Sequence, residues 1–79
     1  MSPKLPRVTG KDTLDALLCA GFIVMRSRGS HSFLSHPEDP TRWATVPVHG
    51  KDILPLKTLK SKLISSRISI EDFIELKDN

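Results

Sequence analysis

Three histidines are the side chains of this sequence best suited to moving protons: His31, His36 and His49. His31 stands in RSRGSHSFLSH, residues 26–36, directly after Gly29 and Ser30 and close behind Arg26 and Arg28. A neutral imidazole near pH 7 both accepts and donates a proton, which suits general acid–base catalysis. Arg26, Arg28 and Lys51 can hold a phosphate beside it by charge and hydrogen bonds. Spacing alone favours a plain surface histidine in a hairpin over a catalytic one. His36 and His49 precede Pro37 and Gly50 at the ends of apolar segments, and read as solvated turn residues. Ser30 has no Asp or Glu nearby in sequence and no nucleophile elbow around it, so nucleophilic catalysis by this serine is set aside. The histidines and the single Cys19 show none of the paired spacings of a zinc site, and no metal or cofactor is expected.

A second basic group lies further on. Lys57, Lys60 and Lys62, with Lys51 and Arg67, form a diffuse positive region that serves either as a solvated helix face or as a seat for RNA phosphates. Trp43, the only tryptophan, is expected to close the edge of the core, with stacking on a base as its other reading.

The elements that must position these residues follow from local patterns. Residues 1–8 carry two prolines and read as an irregular tail leading into one domain over residues 9–79. Thr9 caps a first helix with Asp12 three residues on. Leu14, Leu17 and Leu18 repeat at helical spacing, and Gly21 ends the helix. Cys19 falls on the opposite side of that wheel. FIVMRSR, residues 22–28, favours a strand, and Gly29-Ser30 is a hairpin signal returning into HSFLSH, residues 31–36. PEDPT, residues 37–41, reads as a loop. In residues 43–48, Ala44, Val46 and Val48 alternate with Trp43, Thr45 and Pro47. Pro47 cannot donate to a ladder, which places this strand at a sheet edge. Pro55 suits the first position of a second helix with Leu56, Leu59 and Leu63 as its apolar stripe. Ser69 and Asp72 cap a short last helix that buries Ile70, Phe73 and Ile74. The order is α-β-β-β-α with a short C-terminal helix, an α+β layer fold with a three-stranded antiparallel sheet.

Seventy-nine residues make one small domain, and a chain of this size buries only about 60% of its unfolded surface. Chemistry is therefore expected on an open face rather than in a deep cavity. A net charge of +3 with a pI near 9.4 favours an anionic partner. One cysteine excludes an internal disulfide. No apolar run approaches the roughly 20 residues of a membrane span, and no leader pattern opens the chain. The expectation is a cytoplasmic protein that uses no membrane.

Taken together and in order, GF (Gly21, Phe22), Arg26 with GSH (Gly29, Ser30, His31), VPVHGKD (46–52), TLKS (58–61) and the IS and EDF of residues 68–73 mark a resemblance. The chain resembles the HicA toxins of bacterial toxin–antitoxin systems over roughly residues 9–76. That resemblance implies a double-stranded-RNA-binding-domain-like fold and a metal-independent mRNA interferase. It makes the histidine of the GSH stretch, here His31, the single catalytic histidine. It implies a HicB antitoxin that covers this histidine. RNA would supply its own nucleophile, the 2′-hydroxyl, while His31 takes that proton or protonates the leaving 5′-oxygen. Arg26, Arg28 or Lys51 would offset transition-state charge. Gly29 and Ser30 would shape the RNA-binding hairpin, with Lys57 and Lys60 as phosphate contacts. Ser66-Arg67 replaces the family's usual Ala-Gly. Lys62 stands at a commonly apolar position, for which Ile64 is expected to compensate by rotating the buried face. The alternative function is a non-catalytic RNA-binding module of the same fold, which would leave the GSH hairpin unexplained. A DNA-binding regulator fits less well, since no helix-turn-helix pair is present.

Overall fold

Thr9 opens the first helix by the expected reciprocal capping box. In the computed structural model, which describes residues 4–78, its hydroxyl accepts from the Asp12 N–H. The Asp12 carboxylate accepts from the Thr9 N–H, and both bonds are 3.1 Å. The elements run α1 (Gly10–Cys19), β1 (Ile23–Arg28), β2 (His31–His36), β3 (Asp39–Pro47), α2 (Leu56–Ser66) and α3 (Ile70–Asp78). The fold is α+β. The three strands form one antiparallel sheet in the order β1-β2-β3, so Pro47 does lie on an edge strand.

The helices cover one face of the sheet. Leu34, Ala44 and Val46 point from β2 and β3 into a core shared with Leu17, Leu59, Leu63 and Phe73, all buried. Burying each large apolar side chain contributes about 1.5–3 kcal/mol, so this one layer holds the domain together. The buried hydroxyls are satisfied within their own helices: Thr13 donates to the Thr9 carbonyl at 3.0 Å and Ser66 to the Lys62 carbonyl at 2.7 Å. Gly10 meets the carbonyl of Pro47 so closely that a Cβ there would collide with backbone. The first turn of α1 thereby abuts the chain just before His49.

Two helices end in the same way with different residues. After α1, Phe22 N–H donates to the Leu17 carbonyl and Gly21 N–H to the Leu18 carbonyl, both at 3.0 Å, with Gly21 at φ 97°. After α2, Ile68 N–H donates to the Leu63 carbonyl at 3.0 Å and Arg67 N–H to the Ile64 carbonyl at 3.2 Å. Both are Schellman stops. In the second, Arg67 itself takes the left-handed conformation, φ 57° and ψ 41°, which costs an L-residue about 1–2 kcal/mol. Burial of Leu63 and Ile68 holds it there.

Several expectations are corrected. The strand expected at 43–48 begins four residues earlier at Asp39, leaving only residues 37–38 as turn. Its prolines are tolerated because β3 is an edge. Phe22 is a core residue ahead of β1, and Pro55 is the cap of α2 rather than its first residue. Leu56 is exposed, and Ile64, at 67% exposure, does not take over a buried face from Lys62. α3 is nine residues long, and Ser69 Oγ caps it by accepting from the Asp72 N–H at 3.0 Å. Val8, read as part of the leading tail, is buried, and its carbonyl accepts from the Leu54 N–H at 2.8 Å. Residues 1–3 of that tail and residue 79 of the domain lie outside the described residues. Trp43 does not close the core edge. It is 44% exposed on the sheet face opposite the helices, because its neighbours Ala44 and Arg42 take the inward positions. Arg42 spends its side chain inside, over the Phe22 ring at 5.3 Å and donating to the Ser66 carbonyl at 2.9 Å.

Candidate active site

The outer sheet face begins at the tight turn. Arg28 and His31 pair across the β1–β2 hairpin, and only Gly29 and Ser30 lie between them. Gly29 has φ 59° while Ser30 stays at negative φ, the pattern of a type II′ turn, which wants glycine at its first central position. His31, Phe33 and Ser35 alternate with the buried Leu34, so His31 faces outward.

A bulge puts the arginines beside it. Val24 pairs with Leu34, yet Arg26 pairs with Phe33, leaving Met25 as the extra residue. Without that insertion Arg26 would oppose Ser32, on the helix side of the sheet. With it, Arg26 and Arg28 share the outer face with His31. Arg26, Ser27, Arg28, His31, Phe33 and Thr45 line an open groove of about 410 Å³. Among the described residues neither arginine pairs with a carboxylate, so their charge is available to an anion.

The register brings in a residue that sequence reading had dismissed. Pro47 of β3 pairs with His31, and the next residue, Val48, donates its N–H to the Ser30 carbonyl at 2.6 Å. That bond carries His49 back over the hairpin. The His31 and His49 rings lie 5.9 Å apart, centroid to centroid, edge to face. His49 Nε2 is 3.2 Å from Ser30 Oγ, which steadies the ring, and both imidazoles are exposed. VPVHGKD held the signal, but only the strand pairing shows where it leads.

Other candidates separate from this cluster. His36 sits at the far end of β2, about 17 Å along the strand, against the Phe22 ring at 5.1 Å, with Nδ1 accepting from the Glu38 N–H; its role is structural. Lys51 is exposed in the turn after His49. Lys57 and Lys60 are exposed on α2, which belongs to the opposite layer, so they do not join the outer-face groove. Asp12 and Asp15 on α1 and Glu71, Asp72, Glu75 and Asp78 on α3 gather acidity on the helix side. A second hollow of about 310 Å³, lined by Arg42, Asp72 and Glu75 among others, shares that acidic character and suits no phosphate. The Asp39 carboxyl is held below its ordinary range by the Thr41 hydroxyl at 2.6 Å and the Thr41 N–H, with smaller help from Arg67 and Arg42; it serves the β2–β3 turn. Among the described residues no three His, Cys, Asp or Glu side chains converge as a metal site requires, and no helix is long and apolar enough to cross a membrane.

An open imidazole pair flanked by unpaired arginines can exchange protons with a bound phosphodiester and offset its charge. No curated protein matches the chain. The sequence model described as HicA toxin of bacterial toxin–antitoxin systems matches residues 10–67, which takes in α1, the whole sheet with both histidines, and α2. The chain belongs to the HicA toxin family.

Proposed function

We propose that this toxin is an mRNA interferase: an endoribonuclease that cleaves by attack of the substrate's own 2′-hydroxyl on the adjacent phosphate, independently of a metal. Exposure of His31 beside Arg26 and Arg28 on one open face is the observation that carries the reading. The reaction needs two proton transfers, one from the 2′-hydroxyl and one to the leaving 5′-oxygen. A single histidine would have to serve both in turn. His49, with its ring 5.9 Å from that of His31, supplies the second group, so one imidazole acts as base while the other acts as acid. Arg26 and Arg28 stabilise the extra negative charge of the phosphorane-like transition state. Each proton-transfer group contributes about 10²- to 10⁴-fold.

Ser30 Oγ beside His49 Nε2 has the look of a nucleophile and its base. Among the described residues no carboxylate hydrogen-bonds to His49 to orient it, and Ser30 is better read as the support of that ring. A HicB-type antitoxin is the proposed partner, covering His31. The competing function, RNA binding without cleavage, has no use for two facing imidazoles.

The test is induction of the chain with and without His31→Ala, following growth and mRNA integrity, with purified protein incubated with RNA in excess EDTA. Cleavage to 2′,3′-cyclic phosphate ends that persists under chelation and disappears in a folded His31→Ala protein is the expected outcome. Full cleavage by that variant, or cleavage that only magnesium restores, overturns the mechanism.

A further inference from the structure

We infer that the outer sheet face beside His31 contains a subsite for an unpaired nucleobase, which stacks on Trp43, itself backed by Phe33 and Arg26. This rests on the reading of the chain as an RNA-acting protein and adds the state of the RNA it takes. Trp43 is the only Trp and the chain has no Tyr. A side chain of that size normally repays its place by burial, yet this one stands 44% exposed and outside the core. Its contact is with Phe33, rings 6.2 Å apart and inclined by only 27°. Phe33 in turn lies under the Arg26 guanidinium, 5.7 Å from the ring centre.

Cation, ring and ring thus cross all three strands on the one face that the helices leave open. Phe33 pairs with Arg26 on one side and with Thr45 on the other, and Trp43 is the diagonal neighbour two residues along β3. His31 is two residues from Phe33 on β2, about 7 Å along the strand. A phosphate held at His31 by Arg26 and Arg28 therefore has a neighbouring base over the aromatic pair.

The chemistry selects its occupant. Every base offers a flat π-face to an aromatic ring, and stacking of this kind tolerates sequence variation. Only an unpaired base offers that face, because in a duplex both sides are already occupied and the protein meets 2′-hydroxyls and phosphates instead. In-line attack by a 2′-hydroxyl makes the same demand, since the backbone at the scissile step must leave helical geometry. Arg26 and Arg28, without carboxylate partners among the described residues, supply the complementary charge, and Arg26 serves twice, reaching for phosphate and lying over the ring.

The sole tryptophan makes the proposal directly readable. The full chain carrying His31→Ala is titrated with an eight-nucleotide poly-adenosine RNA and with the same strand in a duplex, following Trp43 emission and the anisotropy of a labelled strand. The single strand should quench Trp43 and bind more tightly than the duplex. Trp43→Ala and Phe33→Ala should each weaken single-strand binding by about 5- to 150-fold, the range for loss of a stacking aromatic. The salt dependence should stay unchanged because no phosphate contact is removed, and Trp43→Phe should recover most of the affinity. Unaltered emission at saturation, equal affinity of Trp43→Ala, preference for duplex, or no RNA binding at all overturns the subsite. Quenching of an RNA that the unmodified chain does not cleave would leave the subsite standing and remove the ribonuclease. Cleavage without quenching would do the reverse, and would point to a protein partner as the occupant of Trp43.

Discussion

Replacing His49 with Gln separates the paired-imidazole mechanism from a solitary catalytic histidine. Gln keeps a polar group within reach of the Ser30 hydroxyl and removes the titratable ring. The structural cost is small, because His49 is exposed and its side chain makes one hydrogen bond, 3.2 Å long; such a bond is worth about 0.5–1.5 kcal/mol in net stability. The catalytic cost is larger. Loss of one positioned proton-transfer group should slow cleavage about 10²- to 10⁴-fold, or about 3–5 kcal/mol of barrier. A folded protein with a defective reaction is therefore the expected phenotype. Single-turnover cleavage of a short RNA, followed across pH, should give a bell for the unmodified chain, since base and acid must be in opposite protonation states, and one sloping limb for His49→Gln. A substrate whose leaving 5′-oxygen is replaced by sulfur needs little help from an acid. The variant whose rate this substrate rescues, His31→Gln or His49→Gln, has lost the acid. A His49→Gln protein within threefold of the unmodified rate at every pH would refute the pairing, as would a slower one with the same bell.

Further outcomes follow from the same geometry. Arg67→Gly should stabilise the domain by about 0.5–1.5 kcal/mol, the left-handed cost relieved less an exposed ion pair to Asp39 at 3.8 Å; calorimetry should show a melting temperature several degrees higher, and a lower one would mean that the arginine side chain holds the helix stop. Changing Arg26 and Arg28 together to Gln should flatten the salt dependence of single-strand binding by up to about 0.7 per lost contact, and changing Lys57 and Lys60 to Ala should flatten it less; equal effects would route RNA across α2. Asp39 has a lowered folded-state pKa, so its stabilising contribution is present above the ordinary carboxylate range and is lost as the pH falls through the folded value. Asp39→Asn should accordingly lower the melting temperature at neutral pH, with the difference vanishing in acid; a gap that persists at low pH would trace the effect to something other than charge.

What could be read from the sequence was what is local. The Thr9–Asp12 box, the stop at Gly21 and the Gly29-Ser30 hairpin each depend on a few adjacent residues, and each lies where expected. The readings that failed needed a partner strand or a packed layer. Nothing in FIVMRSR marks Met25 as a bulge, because a bulge exists only relative to β2, yet that one residue decides which face Arg26 and Arg28 occupy. His49 is eighteen positions from His31 and joins it through the β2–β3 register. Alternation put Trp43 opposite Ala44 and Val46 correctly, but which side the helices would cover was not written in that strand. Asp39, Pro40 and Thr41 looked like a loop because turn chemistry and edge-strand tolerance use the same residues.

One-sided coverage of the sheet connects catalysis to control. Along β2 and β3 the outward positions hold His31, Phe33, Ser35, Trp43, Thr45 and Pro47, and β1 is exposed throughout. That face mixes polar groups, a positive charge cluster and two stacked rings. Another helix packed there would strand Arg26 and Arg28 without partners. The residues proposed to carry RNA across the sheet are thus the same ones that prevent the fold from closing over its own histidines. On the proposed reading, whatever silences the site must match it as RNA would, with acceptors or negative charge opposite Arg26 and Arg28 and a group that covers Trp43. Arg26 and Arg28 draw such a partner to the sheet face and the acidic residues of α1 and α3 turn it away from theirs, while the lysines of α2 keep the helix layer from being acidic throughout. An antitoxin that binds in this way excludes substrate by occupying its path, and the toxin needs no second conformation to be switched off.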